Sequence, residues 1–328
     1  MKTKILKSIG RAVVLLFVIL SSSTLKAQQI NYKVLENDPE VKNLFIGINV
    51  FDAIAYSPNN SIGYNIYGNF LLGNRLQIDA EYRSTYLDDN ATAVFAPKDL
   101  TKTWSFSAGA EFNLSHKIKQ GKAKVVLSSS KVGRTTFTSY VMVPAMFRRI
   151  WSVRGGIQQF HNNYQVDMDL ISTPNKSDIQ YKDASGNLNY LVDKVNFETP
   201  TYTMNAFCFY AGLDFKSIVN VKIKPDNYSE KRKTSKFNMY ADVLLSPSIT
   251  YTLVPNEKQA QFKGIDIDIP ENKRNNFGWR LGWKYDSGKY VGLSFKTELG
   301  QLPGNPESPW FISVGGGMHI GAKIGKKK

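Results

Sequence analysis

From Trp104 to Leu114 every second residue is apolar: Trp104, Phe106, Ala108, Ala110, Phe112 and Leu114. The residues between them, Ser105, Ser107, Gly109, Glu111 and Asn113, are small, polar or charged. Successive Cβ atoms of a strand point to opposite faces, so this is one strand between two different solvents. The pattern returns at Phe277, Trp279, Leu281, Trp283 and Tyr285 against Gly278, Arg280, Gly282 and Lys284. It returns again at Val291, Leu293, Phe295, Thr297 and Leu299 against Gly292, Ser294, Lys296 and Glu298. A soluble sandwich in the periplasm also alternates, so length has to decide. Soluble strands average about 5–6 residues, and a tilted strand needs about 9–11 to cross a membrane. These segments are of the longer kind, and their aromatic ends suit interfacial girdles. The expected fold is an all-β, antiparallel transmembrane barrel.

The first residues read as an export signal. Lys2, Lys4, Lys7 and Arg11 precede an apolar run from Val13 to Leu20, then small and polar residues and Leu25-Lys26-Ala27. That layout predicts a signal peptide over 1–27, with cleavage after Ser23 as the alternative, and a single barrel domain over 28–328. No later run is apolar enough for a transmembrane helix. Cys208 is the only cysteine, which excludes an internal disulfide or a cysteine metal cluster. The formal charge is +15, of which five positive charges lie in 1–27, leaving +10. An exported chain meets little nucleic acid. The expected partners are therefore outer-membrane lipid and other envelope proteins, with no nucleic acid and no cofactor.

Twelve strands are expected, with fourteen as the alternative, near 43–55, 61–73, 74–87, 101–115, 122–131, 136–147, 150–161, 201–216, 236–252, 276–285, 290–300 and 310–322. Short connections at Gly73-Asn74, Arg148-Arg149 and Asp286 to Lys289 fall on one side, expected to be periplasmic with both termini. Long external loops are expected near 88–100, 162–200 and 253–275. The connection near 217–235 breaks the rule, being long and periplasmic.

The signal ending in Ala27-Gln28, the aromatic alternating strands and a Lys- and Asn-rich composition resemble outer-membrane barrels of the Bacteroidota. The stretch Arg148 to Gly156 is similar to strand starts in such proteins. The resemblance implies location in the outer membrane of a Gram-negative cell. The end departs from the general pattern: Ile312 to Ile320 runs on into a basic tail, where a terminal aromatic residue is usual.

Three features bear on function. Inward positions Asp79, Glu81, Arg83, Glu111, Arg154, Asp242, Arg280, Lys284, Lys296 and Glu298 balance acids and bases, which predicts a charge network that closes a narrow lumen rather than a selective pore. The periplasmic side is basic. Lys117, Lys119, Lys122 and Lys124 mark one connection and Lys216, Lys222, Lys224, Lys231, Arg232, Lys233 and Lys236 another; Lys326, Lys327 and Lys328 end the chain. Such a surface suits lipid phosphates or an acidic protein partner. Chemistry is thinly represented. His161 and the rim residues Asp88 and Asp89 lack a serine at the spacing of a barrel hydrolase. Three scattered histidines do not make a zinc site, and Asp266 and Asp268 offer oxygen to calcium without the rest of a binding loop. The leading expectation is a non-enzymatic accessory component of an outer-membrane complex. A passive pore and a surface hydrolase are the alternatives.

Overall fold

The computed structural model describes residues 30–39, 42–56, 60–73, 75–88, 103–165, 180–182, 188–190, 201–254, 275–304 and 310–324. The strands are β1 (Tyr32–Asn37), β2 (Leu44–Tyr56), β3 (Asn60–Leu72), β4 (Leu76–Asp88), β5 (Trp104–Val132), β6 (Thr135–Gln165), β7 (Gln180–Lys182) and β8 (Leu188–Tyr190). They continue with β9 (Thr201–Pro225), β10 (Lys231–Val254), β11 (Phe277–Ser287), β12 (Val291–Gln301) and β13 (Trp310–Ala322). β7 and β8 form a separate small hairpin. The rest make one antiparallel sheet of 11 strands. Its ring runs β2-β3-β4-β5-β6-β9-β10-β11-β12-β13, with β13 pairing back onto β2 and β6 pairing with β9. β1 adds to β9 outside the ring.

The ring therefore has ten strands, not the expected twelve or fourteen. Segments 101–115 and 122–131 are one 29-residue strand, β5, and 136–147 and 150–161 belong to the 31-residue β6. The polar residues between them do not turn the chain. They mark where both strands leave the apolar layer. Arg148-Arg149 pairs with Ile118 and Lys117 inside the β5–β6 ladder instead of forming a turn. The region near 217–235 is likewise strand, except for a tight connection between Pro225 and Lys231. Two other turns lie where the sequence placed them, with Gly73 at φ 63° and Gly288 at φ 90°, a backbone region that glycine enters at no steric cost. Of the expected long loop 162–200, residues 162–165 belong to β6 and 180–182 and 188–190 form the β7–β8 hairpin; most of the rest of the expected long loops lies outside the described residues, as do the signal segment 1–27 and the tail residues Lys326, Lys327 and Lys328.

Burial is inverted relative to a water-soluble fold. The outer wall exposes Ile46, Ile66, Phe106, Phe112, Phe209, Leu281, Phe295 and Ile312, while Asp52, Glu111, Asp214, Asp242, Arg280 and Glu298 are buried inside. A soluble monomer rarely exposes a continuous apolar belt, and charged residues are almost never fully buried unless paired. Hydrocarbon outside and an ion-paired interior satisfy both at once. Among the described residues the closed ring also leaves no unpaired strand edge within the apolar belt.

At the end bearing the short turns the pattern changes. Odd-numbered β9 residues such as Phe209 and Leu213 are exposed along the barrel, but Val219, Val221 and Ile223 on the same face are buried. They are covered by Ala123, Val125 and Leu127 of β5 and Val143 and Ala145 of β6, with Ile30, Tyr32, Val141, Phe147 and Tyr228 packed around them. The two longest hairpins thus leave the barrel and build a second, apolar core of their own. β1 closes this lobe: Asn37 donates from Nδ2 to the Pro144 carbonyl at 3.5 Å and accepts from the Met146 amide at 2.8 Å.

Candidate functional site

All ten charged residues expected inside the barrel face the lumen, and they make ion pairs there. Arg83 contacts Asp52 at 3.3 Å and Glu81 at 2.9 Å, and also pairs with Glu298. Lys296 reaches both oxygens of Glu81 at 2.6 Å and Glu298 at 3.3 Å. Arg154 lies 3.4 Å from Asp242 and 4.0 Å from Asp79. Arg280 binds Asp242 at 2.6 Å and Gln158 at 3.2 Å. Glu111 pairs with Lys216, which also meets Gln77 at 3.1 Å. Lys284 lies 3.9 Å from Asp286 and 3.2 Å above the Tyr67 ring.

Several of these contacts cross the bore. Arg83 and Glu81 stand on β4, and Glu298 and Lys296 on β12, four strands away around a ring of ten. Tyr210 on β9 donates to Asp79 on β4 at 3.4 Å. Side chains thus meet across the bore from distant parts of the wall. Three cavities lie along the bore. One, toward the end of the long connections, is bounded by Asp52, Arg83, Arg280 and Glu298; the next lies among Glu81, Glu111, Arg154, Lys284 and Lys296. A third, at the short-turn end, lies among Lys42, Asp286, Lys289 and His319. Lys236 borders the second and third cavities, and Arg83 and Arg280 stand at the first.

Three tyrosines hold the network against the wall. Tyr67 sits opposite Gly47, Tyr210 opposite Gly156, and Tyr240 opposite Gly282. Each ring lies where a glycine lacks a side chain: a Cβ on Gly47 would fall 2.2 Å from the Tyr67 ring, and one on Gly282 2.1 Å from Tyr240. Lying flat, the rings present π faces to the guanidinium groups. Arg154 is 4.4 Å from the Tyr240 centroid and 5.3 Å from that of Tyr210, and Arg280 is 4.9 Å from Tyr210. The two arginines thus have both carboxylates and aromatic faces as partners in a poorly solvated site.

Sequence reading missed Asp52, Asp214, Asp286 and the three tyrosines, and placed Lys216 and Lys236 on the periplasmic surface. Asp52 escapes the alternation because the β2–β3 register shifts between Asn49 and Asp52. Lys216 and Lys236 are buried, and Lys236 stands 4.5 Å over the Phe45 ring. With these corrections the described lumen holds Asp52, Asp79, Glu81, Glu111, Asp214, Asp242, Asp286 and Glu298 against Arg83, Arg154, Lys216, Lys236, Arg280, Lys284 and Lys296. Neither sign dominates.

The remaining basic residues divide by place. Lys222 pairs with Glu230, holding its carboxyl below the usual range, and Lys224 donates to the Tyr228 carbonyl at 3.2 Å. Lys233 donates to the Tyr285 hydroxyl at 3.0 Å, and Lys231 is half-buried. Arg232 is part of a clamp on β1. Glu36 accepts from Arg232 at 2.6 Å, Lys289 at 2.6 Å and Asn220 at 2.7 Å. Partial burial alone would raise the Glu36 carboxyl; the three donors outweigh it and bring it down to about 2. At the other end, His161 is paired across strands with Trp104 and Asn205, stacked on the indole and 2.7 Å from the Asn205 side-chain oxygen. Asp88 pairs with Ser61 in the β3–β4 ladder, and Asp89 lies outside the described residues. Among the described residues no group of three or more His, Cys, Asp or Glu side chains is placed to hold a metal ion.

No family model and no curated protein matches the sequence. Among solved structures, this chain is similar to OmpT, an outer membrane protein of Vibrio cholerae, at 8% identity and a TM-score of 0.18, covering 88% of this chain and 99% of that one. It is also similar to the anion-selective porin from Comamonas acidovorans, at 9% identity and a TM-score of 0.16, with 88% and 99% covered.

Proposed function

We propose that this chain is a closed, non-enzymatic outer-membrane barrel that serves as an accessory component of an envelope protein complex. On this reading it enters the membrane after loss of residues 1–27 and belongs with the barrels of the Bacteroidota. Both termini and the short turns lie in the periplasm. The observation that carries the reading is the second apolar core, built by β1 and the β5–β6 and β9–β10 hairpins beyond the barrel. Spanning a membrane requires none of it, since β11 and β12 cross with 11 residues each. A folded lobe on a barrel end is a platform for another protein. The lumen supports the same reading from the other side: its balanced, cross-bore ion pairs leave no charged constriction of one sign for a selective pore.

The test is site-specific photo-crosslinking in intact cells from Phe137, near the tip of the β5–β6 hairpin, and from Phe209 on the lipid-facing wall. The reading expects a discrete protein adduct from Phe137 and none of that size from Phe209. Lipid adducts alone from both positions would overturn it.

A further inference from the structure

Beyond the barrel, β5 has a neighbour on one side only. Its ladder with β4 ends at Leu76 and Phe112, followed by one hydrogen bond from the Asn113 amide to the Arg75 carbonyl at 2.7 Å. Its ladder with β6 continues to Val132 and Thr135. From Ser115 to Val132, no described strand pairs with the other edge. Among the described residues, the N–H and C=O groups on that edge have no strand partner, which makes it a template for one more strand. From Ser128 to Thr138 the hairpin is exposed on both faces, with Val132 66% and Phe137 58% accessible. Two strands alone are marginally stable in water, and a third is what such a pair lacks.

Charge selects the third strand. Between Glu111 and Asp167 the sequence has no acidic residue. Along the open strand stand Lys117, Lys119, Lys122, Lys124 and Lys131, all exposed. A second copy of this edge would bring those lysines face to face, which lysine-bearing edges resist. The terminal segments outside the described residues are no better suited by charge: residues 1–27 carry five basic and no acidic groups, and 325–328 include three lysines. Apolar surface lies between the charges, with Tyr140 50% and Met142 46% accessible on the adjacent strand and the Lys124 ammonium 4.0 Å over the Tyr140 ring.

We propose that the free edge of β5, from Ser115 to Val132, binds an extended, carboxylate-rich segment of another envelope protein by strand addition. This rests on the accessory-barrel reading and gives its partner a chemistry. Backbone hydrogen bonds would supply affinity, and alternate acidic side chains would meet the lysines.

The test uses the full-length protein in detergent and a synthetic peptide of alternating Glu and Val residues, with amide hydrogen exchange as the readout. The peptide should slow exchange across 115–132 while leaving β11 and β12 unchanged. A peptide of equal charge with Pro at every fourth position should bind about tenfold more weakly, because it cannot complete a ladder. The Lys122→Glu, Lys124→Glu, Lys131→Glu variant should also weaken binding about tenfold, and salt should mimic it. Equal binding of the proline peptide would overturn strand addition. So would exchange at 115–132 that the alternating peptide leaves unchanged but nanodiscs of phosphatidylglycerol slow relative to phosphatidylcholine; the lysines would then serve a lipid surface. A cellular adduct from Phe137 with no peptide effect would leave the accessory reading standing and remove only this edge. Peptide protection without any cellular adduct would do the reverse.

Discussion

Arg83 is the residue on which the lumen turns. It touches Asp52, Glu81 and Glu298 from three other positions on the wall. Ion pairs of this kind contribute little net stability, but removing one partner strands the other charges where water cannot reach them. Arg83→Ala is expected to cost about 3–5 kcal/mol in urea unfolding from detergent micelles. A loss below about 1 kcal/mol would mean that the interior is well hydrated. Gly282→Ala is a small change with an expected large effect, because the new methyl would meet the Tyr240 ring at 2.1 Å. Overpacking of this sort costs about 1–3 kcal/mol, and the same assay on Tyr240→Leu/Gly282→Ala should recover part of it. Glu36 gives a pH dependence outside the membrane. Its folded carboxyl is lowered to about 2 from an ordinary 4.5, so the folded state prefers the ionised form. The stabilisation is complete above the ordinary value and is lost as pH falls toward 2. Protease cleavage near β1 should rise between pH 4.5 and 2, and Glu36→Gln should be open to cleavage already at neutral pH. Cleavage of the wild type that is independent of pH in this window would show that the clamp does not hold β1.

Single strands make the same argument at the next scale. β5 and β6 are each one strand in two solvents: apolar outside and polar inside along the barrel, then the reverse within the lobe. One substitution should therefore have two costs along one hairpin. Phe106→Arg puts a charge in hydrocarbon and should cost about 2–4 kcal/mol if the site lies near the midplane. Phe137→Arg, on the arm, should stay within about 0.5 kcal/mol. Equal costs in a refolding series would place both residues in the same medium. The contrast also explains what sequence reading could reach. Outward positions such as Phe106 and Leu281, and inward ones such as Arg280 and Glu298, follow from period two because each wall position sees one solvent only. Reading failed where that condition lapses. The polar stretch from His116 to Gly121 resembled a turn because both faces of the strand are exposed there. The bulge between Asn49 and Asp52 changed the parity and hid Asp52. Tyr67, Tyr210 and Tyr240 passed as ordinary strand aromatics, because their glycine partners lie on neighbouring strands and only the register brings each pair together. Basic residues were counted as surface because charge alone does not say which face of a strand carries it: Lys236 turned inward, whereas Lys222 and Lys233 did not.

At the scale of the whole molecule, two closures coexist. The ten-stranded ring closes the sheet, and on the proposed reading the ion pairs close the bore against ions. The second closure, proposed from charge balance, cross-bore reach and the tyrosines lodged over glycines, would distinguish this barrel from a channel. Single-channel recording in planar bilayers tests it most directly. Purified protein refolded into a phosphatidylcholine bilayer should give no steady conductance at neutral pH in 1 M KCl, and Arg83→Ala/Arg280→Ala should produce openings absent from the wild type. Large, stable openings of the wild-type protein would contradict the account, returning the lumen to the role of a pore.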